Sequence, residues 1–133
     1  MKKMANLVSI AFIAMTTLSA CGKPFSKPPP PYEFERWEKT GVTKEEIKKI
    51  LLECGYETPF LNGRQNLNEV IIADRCMTKN GYIYLGSYDP CSYSYGKNLP
   101  GCWLPATEIP DRDISKRLNS KFCKEFPKAQ VCQ

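Results

Sequence analysis

Gly41-Val42-Thr43-Lys44-Glu45-Glu46-Ile47-Lys48-Lys49-Ile50-Leu51-Leu52-Glu53-Cys54-Gly55 carries a full set of helix signals. Thr43 stands three residues before Glu46, the spacing of a capping box, and Val42 and Ile47 occupy the positions of a hydrophobic staple. Ile47, Ile50, Leu51 and Cys54 recur at helical spacing, and Gly55 tolerates the left-handed turn that ends a helix. The pattern predicts a helix over about residues 43–54.

Downstream, Asn66 with Glu69 repeats the start signal, and Asn80-Gly81 supplies the stop, which predicts a second helix over about 66–79. Val70, Ile71, Ile72, Ala73, Cys76 and Met77 give it a wide apolar face, so it is expected to be the more buried of the two.

The next segment is aromatic. Tyr82 and Tyr84 alternate with Ile83 and Leu85, and Tyr93 and Tyr95 with Ser92 and Ser94, the period of short strands. Pro100-Gly101-Cys102-Trp103 follows. Tyrosine and tryptophan suit a protein interface or sugar stacking, and they also fill small cores. Two readings therefore stand side by side: core filling, or a binding face made of Tyr84, Tyr93, Tyr95 and Trp103. Beyond an extended crossing from Pro105 to Pro110, Asp111 or Asp113 caps a short C-terminal helix with Ile114, Leu118 and Phe122 on one face.

The N-terminus is of a different kind. Met1-Lys2-Lys3 precedes an apolar run from Leu7 to Met15 broken by Ser9, the layout of an export signal and too short to span a bilayer. Leu18-Ser19-Ala20-Cys21 matches the lipobox of bacterial lipoproteins, which implies acylation of Cys21 and removal of residues 1–20. An ordinary signal peptide cut near Ala20 is the alternative. Cysteine arithmetic favours the lipobox: an exported chain meets an oxidising compartment, and setting Cys21 aside leaves six of the seven cysteines to pair. Several acyl chains hold durably where one holds marginally. Gly22, in the second mature position, is not the aspartate that commonly retains such proteins at the inner membrane, which favours the outer membrane. The prolines from Pro24 to Pro31 then favour extended polyproline II, so the linker 21–36 can hold the body roughly 50 Å from the lipid at ~3.1 Å per residue. A spacer is the simpler role for it than a ligand for an aromatic groove.

Trp37-Glu38-Lys39, Gly41-Val42-Thr43, Ile50-Leu51-Leu52-Glu53-Cys54-Gly55-Tyr56 and the ending Phe122-Cys123-Lys124-Glu125-Phe126-Pro127 with Cys132 resemble a group of small Gram-negative lipoproteins, some of them phage-borne. The group has no established activity. Its members often carry only the cysteines matching Cys54, Cys76, Cys123 and Cys132, which implies that the segment with Cys91 and Cys102 is an elaboration of this chain.

Chain distance pairs Cys54 with Cys76, Cys91 with Cys102, and Cys123 with Cys132, although six cysteines allow fifteen pairings and spacing alone does not choose among them. Pro100-Gly101 and Pro127 put turns in the two short loops. A tight hairpin would separate Cys54 from Cys76 by about 15 Å along the second helix, so the first pair requires helices that cross near their C-terminal ends. The expected fold is a small α+β domain, mainly α and disulfide-stapled. It has two crossing helices, a short Tyr-rich β/loop segment and a short C-terminal helix, all in a single globular domain over 37–133.

The mature chain of 113 residues carries a net charge of +3, scattered along its length, which gives no reason to propose nucleic acid as a partner. With no histidine, histidine-based triads, histidine-ligated zinc and imidazole acid/base chemistry are excluded. No nucleophile elbow, dinucleotide fingerprint or Walker loop is present. Asp111 and Asp113 are better explained by capping and solvent than by a cation, and Glu45 and Glu46 diverge around their helix. The expectation is therefore a non-enzyme without cofactor or metal. It is a lipid-anchored envelope module that binds an envelope, phage or host protein, or else an inhibitor or superinfection-exclusion factor that blocks an envelope receptor.

Overall fold

A computed structural model describes residues 30–133. The expected signal peptide, Cys21 and the expected linker as far as Pro29 lie outside the described residues. Helix α1 (Lys44–Cys54) starts as its sequence demands: the Glu46 N–H donates to Thr43 Oγ1 at 3.2 Å, and the Thr43 N–H donates to the Glu46 carboxylate at 2.8 Å. Gly55 closes it with φ +110°. Helix α2 (Leu67–Lys79) is capped by Asn66, which accepts from the Asn68 N–H at 2.9 Å. The cap is satisfied one residue early, so Glu69 completes no capping box.

The helices are joined at their C-terminal turns by the Cys54–Cys76 disulfide, with Cα atoms 5.5 Å apart. Around that bridge Trp37, Ile47, Ile50, Leu51, Tyr56 and Met77 form the main core. A second, smaller cluster of Leu52, Cys123, Val131 and Cys132 lies on the opposite side of α1. This reverses the expected ranking: α1 is the central helix and buries Ile47, Ile50, Leu51, Leu52, Glu53 and Cys54, while α2 buries Ile71, Ala73, Cys76 and Met77. The sequence pattern of α2 was wider, but α1 has packed neighbours on two sides.

The body begins before Trp37, inside the stretch assigned to the linker. The Glu33 N–H donates to the Phe60 carbonyl at 2.7 Å, the Phe34 N–H donates to the Pro59 carbonyl at 3.1 Å, and the Phe34 ring is buried. Strand β1 (Trp37–Glu38) then pairs antiparallel with β2 (Ile83–Tyr84), Trp37 opposite Tyr84. The alternation from Ser92 to Tyr95 produces no second aromatic strand. Pro90–Ser92 is a 3-10 turn capped by Asp89, and the Tyr93 carbonyl accepts the Gly96 and Lys97 N–H groups. Local turn bonds satisfy backbone groups that a strand would have left without a partner. The short helix α3 (Pro100–Trp103) follows, and the Cys91–Cys102 bridge closes this loop.

The C-terminal helix is two helices. Ser120 interrupts the run with ψ 155° and caps the second piece by accepting the Cys123 N–H at 3.1 Å, giving α4 (Ile114–Asn119) and α5 (Lys121–Glu125). Ile114 and Leu118, expected to face the core, are exposed, and Arg117 is the buried residue of α4. Arg117 turns inward because Glu53 of α1 waits there, 3% exposed, with Oε1 3.1 Å from Arg117 Nε. The Cys123–Cys132 bridge fastens the C-terminal turn beneath it.

Candidate functional site

The loop between β2 and α3 folds back on itself at Asp89-Pro90 and lays three tyrosines together. Tyr88 and Tyr93 stack with ring centroids 5.4 Å apart, Tyr93 and Tyr95 with centroids 5.6 Å apart, and the hydroxyls of Tyr88 and Tyr95 are 2.6 Å from each other. That hydrogen bond pushes the Tyr88 phenol up to about 12. Across the Cys91–Cys102 bridge, Trp103 is 72% exposed and donates its indole N–H to the Lys97 carbonyl. Stacked rings held by a disulfide lose little side-chain freedom on contact, which favours binding.

Two glycines allow this shape. A Cβ on Gly96 would stand 1.8 Å from the Pro90 carbonyl oxygen, so only glycine lets the loop close. A Cβ on Gly101 would press on Asn68 and Ile71, where the Gly101 N–H donates to Asn68 Oδ1 at 2.6 Å and its carbonyl accepts from Arg75 at 2.8 Å. Those bonds seat the loop on the outer side of α2.

Of the four residues expected to share an aromatic face, Tyr93, Tyr95 and Trp103 are exposed and Tyr84 is not part of their cluster. Tyr84 packs 5.0 Å from Trp37 against the main core and covers Gly86. Tyr88 takes its place. Tyr88 was missed, although the Asp89-Pro90 pair immediately after it is a turn signal that would bring the chain back over Cys91 to Tyr95.

A buried acidic cluster, also unforeseen, lies beside the indole N–H of Trp37. Tyr56, 1% exposed, donates its hydroxyl proton to Asp74 and stands 3.4 Å from Glu33 Oε1. Burial raises Asp74 to about 7 and also raises Glu33, which Arg36 at 3.6 Å partly offsets. The Trp37 indole N–H is directed at this cluster and holds Glu33 down, although it completes no well-formed hydrogen bond. These groups lock the turn at Glu33–Glu35 to α1 and α2.

Asp111 forms an ion pair with Lys79 at 2.7 Å, and Asp113 caps α4 by accepting the Ser115 N–H at 2.7 Å. Both side chains have structural partners. Among the described residues no helix is long and apolar enough to cross a membrane.

The domain is thus a small α+β fold, mainly helical, stapled by three disulfides. Comparison with protein-family models, curated proteins and solved structures finds no match to this chain.

Proposed function

We propose that the chain is a lipid-anchored cell-envelope module, held through acylated Cys21 at the outer membrane, that binds an envelope, phage or host protein through Tyr88, Tyr93, Tyr95 and Trp103. The observation that supports this reading is the disulfide-clasped stack itself. Tyr93, Tyr95 and Trp103 are 46%, 56% and 72% exposed on a loop whose backbone is committed to turns and to α2. A core role would have turned these rings inward, as it does Tyr56 and Tyr82. The linker gives the module reach.

Crosslinking in intact cells, followed by identification of the captured protein, tests the reading. Alanine at Tyr93, Tyr95 or Trp103 is expected to abolish capture and leave thermal unfolding unchanged, since central interface aromatics carry ~2 kcal/mol or more of binding each. Loss of folding together with capture would return these rings to a structural role. Metabolic labelling with a palmitate analogue tests the anchor separately: Cys21→Ser is expected to carry no label.

A further inference from the structure

The mild basic excess, expected to be scattered along the chain, is concentrated at its C-terminal end. Residues 112–133 hold six basic and two acidic side chains, whereas residues 30–111 hold nine basic and twelve acidic ones. The domain is therefore bipolar, and its positive pole is α4, α5 and the C-terminal turn. Arg112 and Arg117 are spent on Glu53, but among the described residues Lys116, Lys121, Lys124 and Lys128 have no ion-pair partner.

This pole is also apolar. Leu61, Phe122 and Phe126 line a groove of about 410 Å³ with Arg64 and Lys121 at its edge. An adjoining groove, sharing Lys121, is lined by Lys116 and Lys124. Leu61 and Phe126 are each at least half exposed. The carboxylates in the same surface are Glu57 and Glu125.

A ladder of rings connects this surface to the point where the tether enters. Tyr32 lies 5.3 Å from Phe60, Phe60 5.5 Å from Phe122, and Phe122 5.2 Å from Phe126. The chain thus arrives from its linker on the side that carries the lysines. The tyrosine clasp is seated on α2 and α4 packs on α1, so the two surfaces are built on different helices.

We propose that the α4–α5 surface, with Leu61 and Phe126 at its apolar centre and Lys116, Lys121 and Lys124 around it, lies on the anionic headgroups of the membrane that holds the chain. This rests on the lipid anchor proposed above. A cationic surface with protruding apolar side chains is the composition that binds an anionic interface, the rings entering the headgroup boundary while the ammonium groups meet phosphate. Resting there, the domain keeps its aromatic clasp, which is seated on α2, out of the lipid contact.

The test uses the mature chain, residues 21–133, carrying Cys21→Ser, so that no acyl chain contributes. Co-sedimentation is measured with vesicles of phosphatidylglycerol and phosphatidylethanolamine, and with vesicles of phosphatidylcholine alone. Binding to the anionic vesicles only is expected, weakening with salt, with each of Lys116→Gln, Lys121→Gln and Lys124→Gln lowering the partition about fivefold. Phe126→Ser is expected to lower it as well, and Tyr95→Ala to leave it unchanged. No binding to anionic vesicles, or lysine variants that partition like the parent, would overturn the proposal and direct the basic pole to an acidic protein instead. Because this protein is unacylated, the outcome is independent of palmitate labelling, and either reading can fail alone.

Discussion

The Tyr56 hydroxyl stands between two carboxyl groups, donating to Asp74 and lying 3.4 Å from Glu33. One phenolic proton cannot serve both, and the site is buried, so the cluster is most stable when Asp74 holds a proton of its own.

That arrangement makes stability depend on pH with a definite sign. Burial raises Asp74 from 3.8 to about 7 in the folded chain, so the folded state binds more protons than the unfolded state between those values. Its stabilising contribution is complete below 3.8 and is lost as pH rises through about 7. The loss is on the order of 4 kcal/mol. Glu33 is raised as well and acts in the same direction, whereas Glu46, Asp111 and Asp113 are lowered by their hydrogen bonds and act oppositely at more acidic pH. Urea midpoints measured from about pH 5 to pH 8 are expected to fall for the parent and to fall much less for Asp74→Asn, which keeps only the Glu33 contribution. Parallel curves for the two proteins would show that Asp74 ionises normally.

Glu53 and Arg117 make a second buried dependence. Glu53 faces Arg117 Nε at 3.1 Å and Arg112 Nε at 2.8 Å, while Arg117 Nη1 donates to the carbonyls of Val131 and Gln133 at 2.6 and 3.0 Å. One arginine therefore neutralises α1 and holds the C-terminal turn. Removing one member of a buried pair costs about 3–5 kcal/mol, because the other is left charged and unpartnered. Arg117→Met is expected to lose stability on this scale, softened by Arg112, and to expose the Cys123–Cys132 loop to protease. Pairing it with Glu53→Leu is expected to recover part of the loss in the urea midpoint.

How much of this was legible depends on whether the signal was local. Thr43 with Glu46, Gly55, and Asn66 act within a turn of their own backbone, and both helices start and stop where those residues put them. The pairing of nearest cysteines, one of fifteen that spacing allows, is the one found, because each bridge closes a loop of neighbouring elements. Ile114 and Leu118 were misread because their periodicity promises an apolar face only if something apolar packs on it. The neighbour there is Glu53, distant in sequence, and it selects Arg117 instead. The aromatic alternation at Tyr93 and Tyr95 likewise lacked the partner strand that would have made it a strand. The Glu33, Tyr56 and Asp74 cluster gathers three separate elements, and no spacing announces it.

Gly96 offers a way to alter the clasp without touching a ring. Its added Cβ would lie 1.8 Å from the Pro90 carbonyl oxygen, so the loop must open at Gly96→Ala. The rest of the domain does not depend on that contact. Near-ultraviolet circular dichroism is expected to lose tyrosine signal while far-ultraviolet ellipticity persists, and partner capture is expected to fall with the former. Unchanged near-ultraviolet signal would mean the tyrosine stack forms without this closure.

Two of the three bridges are expected to separate by function. Cys54 and Cys76 lie at the centre of the core, 2% and 0% exposed, and join its two main helices. Cys91 and Cys102 are only half-buried and close a loop that α2 already holds through Asn68 and Arg75. In a domain this small a native bridge contributes ~2–4 kcal/mol, and removing the central pair also leaves its core partners unfilled. Replacing Cys54 and Cys76 together by alanine is therefore expected to abolish folding. Replacing Cys91 and Cys102 together by serine is expected to lower the thermal midpoint only modestly while sharply reducing capture, because the tyrosine stack must then be ordered on binding. Calorimetry and crosslinking on the same two proteins distinguish these roles. A chain that unfolds without the Cys91–Cys102 bridge would make the loop part of the core and remove the basis for treating it as an independent binding element.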